Sequence, residues 1–67
     1  MTMDHRKEIG DRIRELRSSK GWTVRELAEK SGVTYQNINK IENGLYSTGV
    51  DVLGRIADAL GVRIELR

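Results

Sequence analysis

Residues 23–43, TVRELAEKSGVTYQNINKIEN, are the stretch whose pattern decides the fold. Leu27 and Ala28 mark an apolar face in the first half, and Ile38 and Ile41 mark one in the second. Each half opens on a hydroxyl suited to capping a helix. Thr23 stands three residues before Glu26, the spacing of a capping box, and Thr34 precedes the second apolar pair. Gly32-Val33 lies between them as a tight turn. The pattern predicts two short helices, residues 23–31 and 34–43, with Gly44 as the residue that stops the second.

Upstream, Ile9, Ile13 and Leu16 are spaced four and three apart, the stripe of a helix over residues 6–20. Thr2 or Asp4 offers its cap, and Ser18-Ser19-Lys20-Gly21 ends it. Glu8 and Arg12 form an attractive i,i+4 pair, whereas Asp11 and Glu15 form a repulsive one, each worth only roughly 0.2–0.5 kcal/mol. Gly10 weakens this helix, which points to a neighbour in close approach. Trp22 suits a lid over the joint between the first two helices, with stacking on a base as the other role open to it. Downstream, Leu45-Tyr46-Ser47-Thr48 reads as a loop. Thr48 with Asp51 has capping spacing for a fourth helix, whose stripe is Val50, Leu53, Ile56, Ala57 and Leu60 before Gly61 stops it.

Residues 62–67, VRIELR, alternate apolar and charged without a break, a strand signal. The chain offers no second strand, and an unpaired edge is a template for another chain. The expectation is an antiparallel ribbon across a symmetric dimer, formed by Val62, Arg63, Ile64, Glu65 and Leu66. Placing Ile64 on the two-fold sets Arg63 against Glu65 and Val62 against Leu66. Placing Glu65 there would set like charges together. A polar tail or an extra turn of helix are the alternatives. The predicted fold class is thus all-α: a compact four-helix domain over residues 1–67 with a short C-terminal β-strand.

A chain of 67 residues is near the lower size limit for folding alone, and its core supplies only roughly 3–5 kcal/mol. With no cysteine and a single His, neither disulfides nor a metal site add to that, so oligomerisation is the expected support. No cofactor is implied. No apolar run approaches the ~20 residues of a membrane span, and no signal-peptide pattern opens the chain. A soluble cytoplasmic protein is expected. The net charge of +2 and the 33% of charged residues are compatible with nucleic acid without requiring it, as is a pI near 9.3. An enzyme is not expected, because no nucleophile stands beside a base and the mass is too small to enclose a typical pocket.

Two short helices joined by a Gly-containing turn form a helix-turn-helix arrangement, in which the second helix enters the DNA major groove. At 100° per residue, Thr34, Ile38, Ile41 and Leu45 point inward, while Gln36, Asn39, Lys40 and Asn43 point outward. Tyr35 and Asn37 lie on the flanks. The outward face carries amides and an ammonium but no carboxylate. Gln or Asn can bond adenine N6 and N7, and Lys can reach guanine O6 and N7. A rigid helix of this kind suits DNA better than the narrow major groove of RNA. Glu42 falls toward the inward side, where a carboxylate is costly unless paired. Arg17, next to the last stripe residue of the first helix, is the expected partner.

GWTVRELAEKSGVTYQNINKIENG resembles the core of the Cro/phage-repressor, or XRE, helix-turn-helix family, and VDVLGRIADALGV is similar to that family's fourth helix. Counted from Val24, the fifth position is Ala28, the ninth Gly32, the fifteenth Ile38 and the eighteenth Ile41. The resemblance covers about residues 9–60. It implies that Tyr35, Gln36, Asn39 and Lys40 contact bases or nearby backbone, that Thr23 and Asn43 lie near phosphates, and that Arg17 and Glu42 form a helix-tying ion pair. Arg25, Thr34 and Asn37 complete the expected DNA-binding set, with Lys20 as a further phosphate contact. Val24 departs from the Gln common at that position, leaving backbone N–H groups at the helix start as a substitute. Gly49 stands where many members have Pro or Ser. The C-terminal strand resembles that of HipB-type antitoxins, which pair it between subunits. The implied function is a homodimeric repressor of its own or neighbouring genes on a near-palindromic double-stranded operator. An antitoxin that binds a toxin protein and represses its own operon is the alternative.

Overall fold

The Thr23 hydroxyl accepts a hydrogen bond from the Glu26 N–H at 3.1 Å, and the Glu26 carboxylate accepts from the Thr23 N–H at 2.8 Å. This reciprocal box starts the second of four helices in a computed structural model that describes residues 5–45 and 49–63. The helices are α1 (His5–Ser19), α2 (Val24–Ser31), α3 (Tyr35–Glu42) and α4 (Val50–Leu60). Thr34 caps α3 by accepting from the Asn37 N–H at 3.3 Å. Gly32 turns the chain between α2 and α3 at φ +72°, a conformation that would strain a residue with a Cβ, while its N–H donates to the Ala28 carbonyl.

Leu27, Ile38, Ile41 and Ile56 are the fully buried centre of the core, joined by Ile13, Val33 and Leu60. They come from all four helices and the turn, so α3 is gripped on its inner side by the whole domain. Burying each large aliphatic side chain contributes roughly 1.5–3 kcal/mol. Gly10 lets α1 touch the end of α3. A Cβ built there would lie 2.2 Å from the Ile41 carbonyl oxygen, so the expected close neighbour is the backbone of α3 itself.

Several expectations need correction. Leu45 does not continue the inward stripe of α3 and is 74% exposed, because α3 stops at Glu42 and Gly44 turns the chain away. Val50 is likewise 70% exposed at the first turn of α4, before the helix reaches the core. The N-cap of α4 is Gly49, which has no side chain to contribute; Thr48 lies outside the described residues. Charges along α1 pair differently from expectation: Lys7 meets Asp11, Arg12 meets Glu15, and His5 stands 3.5 Å from Glu8.

Among the described residues all regular structure is helical. The predicted strand falls mostly on residues 64–67, which lie outside them, as do Thr2, Asp4 and Tyr46. Val62 lies two residues beyond α4 and closes its last turn, its N–H donating to the Ala57 carbonyl at 2.9 Å. Beside it an open apolar groove of about 400 Å³ runs between α1 and α4, lined by Ile9, Ile13, Leu16, Leu53, Ile56 and Val62 among others. No described helix is long and apolar enough to cross a membrane.

Candidate nucleic-acid interface

The outer face of α3 is built by burial of its opposite side. Ile38 and Ile41 are 0% and 2% exposed, which fixes the helix's rotation and leaves Gln36, Asn39 and Lys40 in solvent. Among the described residues, the side chains of Gln36 and Lys40 have no hydrogen-bonding partner, so their amide and ammonium groups are available. Asn43 is committed differently from a free reading residue. Its amide N–H donates to the Asn39 carbonyl at 2.8 Å, and its side-chain oxygen accepts from Arg14 at 3.1 Å. Asn37 is half-buried and Thr34 spends its hydroxyl oxygen on the cap.

Arg17 and Glu42 are brought together beneath this face. Glu42 is 3% exposed, yet both its oxygens are bonded, accepting from Arg17 Nε at 2.7 Å and from Arg17 Nη2 at 2.9 Å. The remaining Arg17 nitrogen donates to the Trp22 carbonyl at 2.7 Å, so one guanidinium ties α1, the α1–α2 corner and α3. The hydrogen bonds to Glu42 raise the Arg17 pKa above its ordinary value; desolvation opposes them and Coulombic attraction to Glu42 adds to them.

Arg14 was not among the expected site residues. It donates to the Glu42 carbonyl at 3.0 Å and to Asn43, closing the last turn of α3 where carbonyls lack intrahelical partners. Its spacing three residues before Arg17 puts it on the same side of α1, the one signal the sequence contained.

At the other end of α3 the side chains approach across the turn. The Arg25 guanidinium stands over the Tyr35 ring, 5.0 Å from its centroid. Trp22 is half-buried against the core, as a lid would be, with Lys20 and Lys30 at 5.3 and 4.8 Å from its ring centre. Val24 also packs against the core. Thr23 has its hydroxyl oxygen and N–H engaged in the capping box, which leaves the hydroxyl proton and the Val24 and Arg25 N–H groups without partners among the described residues. Exposed donors from α2 and α3, with no exposed carboxylate on α3, form a surface suited to an acceptor-rich ligand. Among the described residues, no group of three or more His, Asp or Glu side chains could hold a metal ion.

Comparison with known proteins identifies the family of the fold. The profile of the helix-turn-helix family HTH_3 matches residues 13–66, most of the chain. The chain belongs to this helix-turn-helix family. It is 51% identical over 49 residues to an HTH-type transcriptional regulator of Methanothermobacter thermautotrophicus, spanning 73% of this chain and 71% of that protein. The HTH-type transcriptional regulator SinR of Bacillus subtilis is 35% identical over 58 residues, spanning 85% of this chain but only 52% of SinR. The chain thus covers about half the length of that relative. Among solved structures, the clp gene regulator ClgR from C. glutamicum superposes with a TM-score of 0.85 at 32% identity, over 94% of this chain and 80% of ClgR. These helix-turn-helix relatives are named as regulators, and none of the three is named as an antitoxin.

Proposed function

We propose that the chain is a sequence-specific double-stranded DNA-binding transcription regulator, a homodimeric repressor that reads the major groove with residues 34–43. The observation that carries this reading is the face of α3. Gln36, Asn39 and Lys40 stand exposed on a helix whose inner side is locked into the core, and the sole carboxylate of that helix, Glu42, is withdrawn into an ion pair. In the proposed complex Gln36 and Asn39 meet base edges, Lys40 meets guanine or phosphate, and Tyr35 and Asn37 flank them. Asn43, bound to Asn39 and Arg14, orients more than it reads. Thr23, Thr34, Arg25 and Lys20 contact the backbone. Arg17 and Glu42 hold α3 at its angle.

Pairing of residues 62–66 between two copies supports the dimer in this reading, with Ile64 at the two-fold. The apolar groove between α1 and α4 ends at Val62 and Arg63, so the paired segment starts beside unfilled apolar surface. Two copies of α3 then address half-sites about one helical turn, roughly 34 Å, apart.

Selecting duplexes from a random pool, then measuring anisotropy with the recovered operator, tests the function. Lys40→Ala is expected to lower the salt-dependence slope by about 0.9 per copy bound. Gln36→Ala is expected to relax discrimination at one base pair by about 1–3 kcal/mol. Specific binding left intact in both variants removes this face from the function.

The second reading, an antitoxin that also regulates its operon, is favoured by Leu45, whose 74% exposure beside Gly44 leaves an apolar side chain for a protein partner. Co-expression with the product of the neighbouring gene separates the two, since only an antitoxin copurifies with it.

A further inference from the structure

Arg25 is the second residue of α2 and Tyr35 the first of α3, and the turn between the helices brings them into contact. The guanidinium lies over the ring at 5.0 Å, within the roughly 6 Å range of a cation–π interaction. Both residues are exposed, Tyr35 at 40%. Among the described residues the Arg25 side chain makes no hydrogen bond or ion pair, even though Glu29 follows one turn along the same helix. A contact with the ring's π face uses none of the oxygen acceptors a phosphate would offer, and the guanidinium carries five N–H donors with which to meet them.

We propose that Tyr35 and Arg25 act as one unit, in which the ring positions the guanidinium for paired hydrogen bonds to a backbone phosphate of the DNA. The proposal rests on the DNA-binding reading above and specifies a part of it. Tyr35 stands on the flank of the reading face, and Arg25 lies on the α2 side of that flank. The first helix of such a motif crosses the backbone while the second enters the groove, so the pair sits where a phosphate borders the groove. Val24 is turned into the core and has no side-chain donor, which makes Arg25 the first side chain within α2 able to serve that phosphate. An arginine loses side-chain freedom on binding, and the ring takes up part of that loss before DNA arrives.

The test combines salt titrations of operator binding with proton NMR of the free protein. Arg25→Ala is expected to make the salt slope shallower by about 0.9 per copy bound. Tyr35→Ala loses part of the same slope, Tyr35→Phe retains it, and the two alanine changes together cost less than their sum. In the free protein, ring-current displacement of the Arg25 side-chain protons persists in Tyr35→Phe and disappears in Tyr35→Ala. An unchanged slope in Arg25→Ala, or strictly additive losses, overturns the unit. Loss of preference at a single G·C pair with the slope intact would make Arg25 a reader of guanine, and it overturns the phosphate assignment. Wild-type protein that bound no selected duplex would instead overturn the DNA-binding reading on which the unit depends.

Discussion

Arg17 grips both carboxylate oxygens of Glu42, at 2.7 and 2.9 Å, where Glu42 keeps 3% of its surface exposed. Removing one partner from such a pair leaves a buried charge unmatched, at a cost of about 3–5 kcal/mol. Arg17→Ala is expected at the lower end, because Arg14 Nε stands 3.5 Å from a Glu42 oxygen and takes over part of the charge. Urea unfolding measures it, and a loss below about 1 kcal/mol would show that the pair is not a structural tie. The pH dependence has a definite sign. The Arg17 pKa is raised in the fold, so its stabilisation is complete below the unfolded value and is lost only as pH rises through the folded one, in strong alkali. Unfolding midpoints between about pH 6 and 9 therefore owe no slope to Arg17.

Gly10→Ala sets two effects against each other. Alanine favours a helix over glycine by about 1 kcal/mol. The new methyl carbon, however, would lie 2.2 Å from the Ile41 carbonyl oxygen and 2.9 Å from that of Glu42. Both are backbone atoms of α3, so relief requires moving one helix. Overpacking of this kind costs about 1–3 kcal/mol before the propensity gain, and the clash is expected to win. Thermal melting of the variant decides the sign, and a raised melting temperature would show that α1 can slide off α3 without loss.

Thr23→Ala removes the hydroxyl half of the capping box and leaves the Glu26 N–H unpaired at the start of α2. The expected loss is about 1 kcal/mol, which for a domain of this size lowers the melting temperature by roughly 4–8 °C. Thr23→Ser should retain most of the stability. Equal melting of the alanine and serine variants would deny the cap its role.

What the sequence disclosed depended on whether the deciding contact was local. The starts of α2 and α3 were legible because Thr23, Glu26 and Thr34 cap within three residues of themselves. The stops were legible because Gly21, Gly32, Gly44 and Gly61 all adopt positive φ. The inward faces followed from a period of 3.6, and the same angles placed Glu42 near the core. Leu45 departs from the stripe because a period says nothing once the helix has ended, and Val50 because it opens α4 before that helix reaches the core. Arg14 was missed because its target is partly a backbone carbonyl, which leaves no trace in the side-chain pattern. The contact of Arg25 with Tyr35 crosses a turn between two helices, and no spacing rule within one helix reaches it.

Deleting residues 64–67 tests the proposed pairing while sparing the end of α4. A cut after Arg63 keeps Val62, whose N–H closes the last turn on the Ala57 carbonyl at 2.9 Å, so the truncated chain retains its helix stop. If the segment pairs two copies, sedimentation should report a dimer for the full chain and half that mass for the truncated one. DNA binding should fall with it, because linked half-sites raise the effective concentration of the second copy and a monomer loses that gain, roughly 10²–10⁴-fold. The truncated protein should still melt cooperatively, since Ile13, Leu27, Ile38 and Ile56 keep their contacts within one copy. A truncated chain that remained dimeric would move the interface elsewhere, with the α1–α4 groove as the next surface to alter. A full chain that sedimented as a monomer at all concentrations would remove the symmetric repressor and leave a single-copy DNA reader.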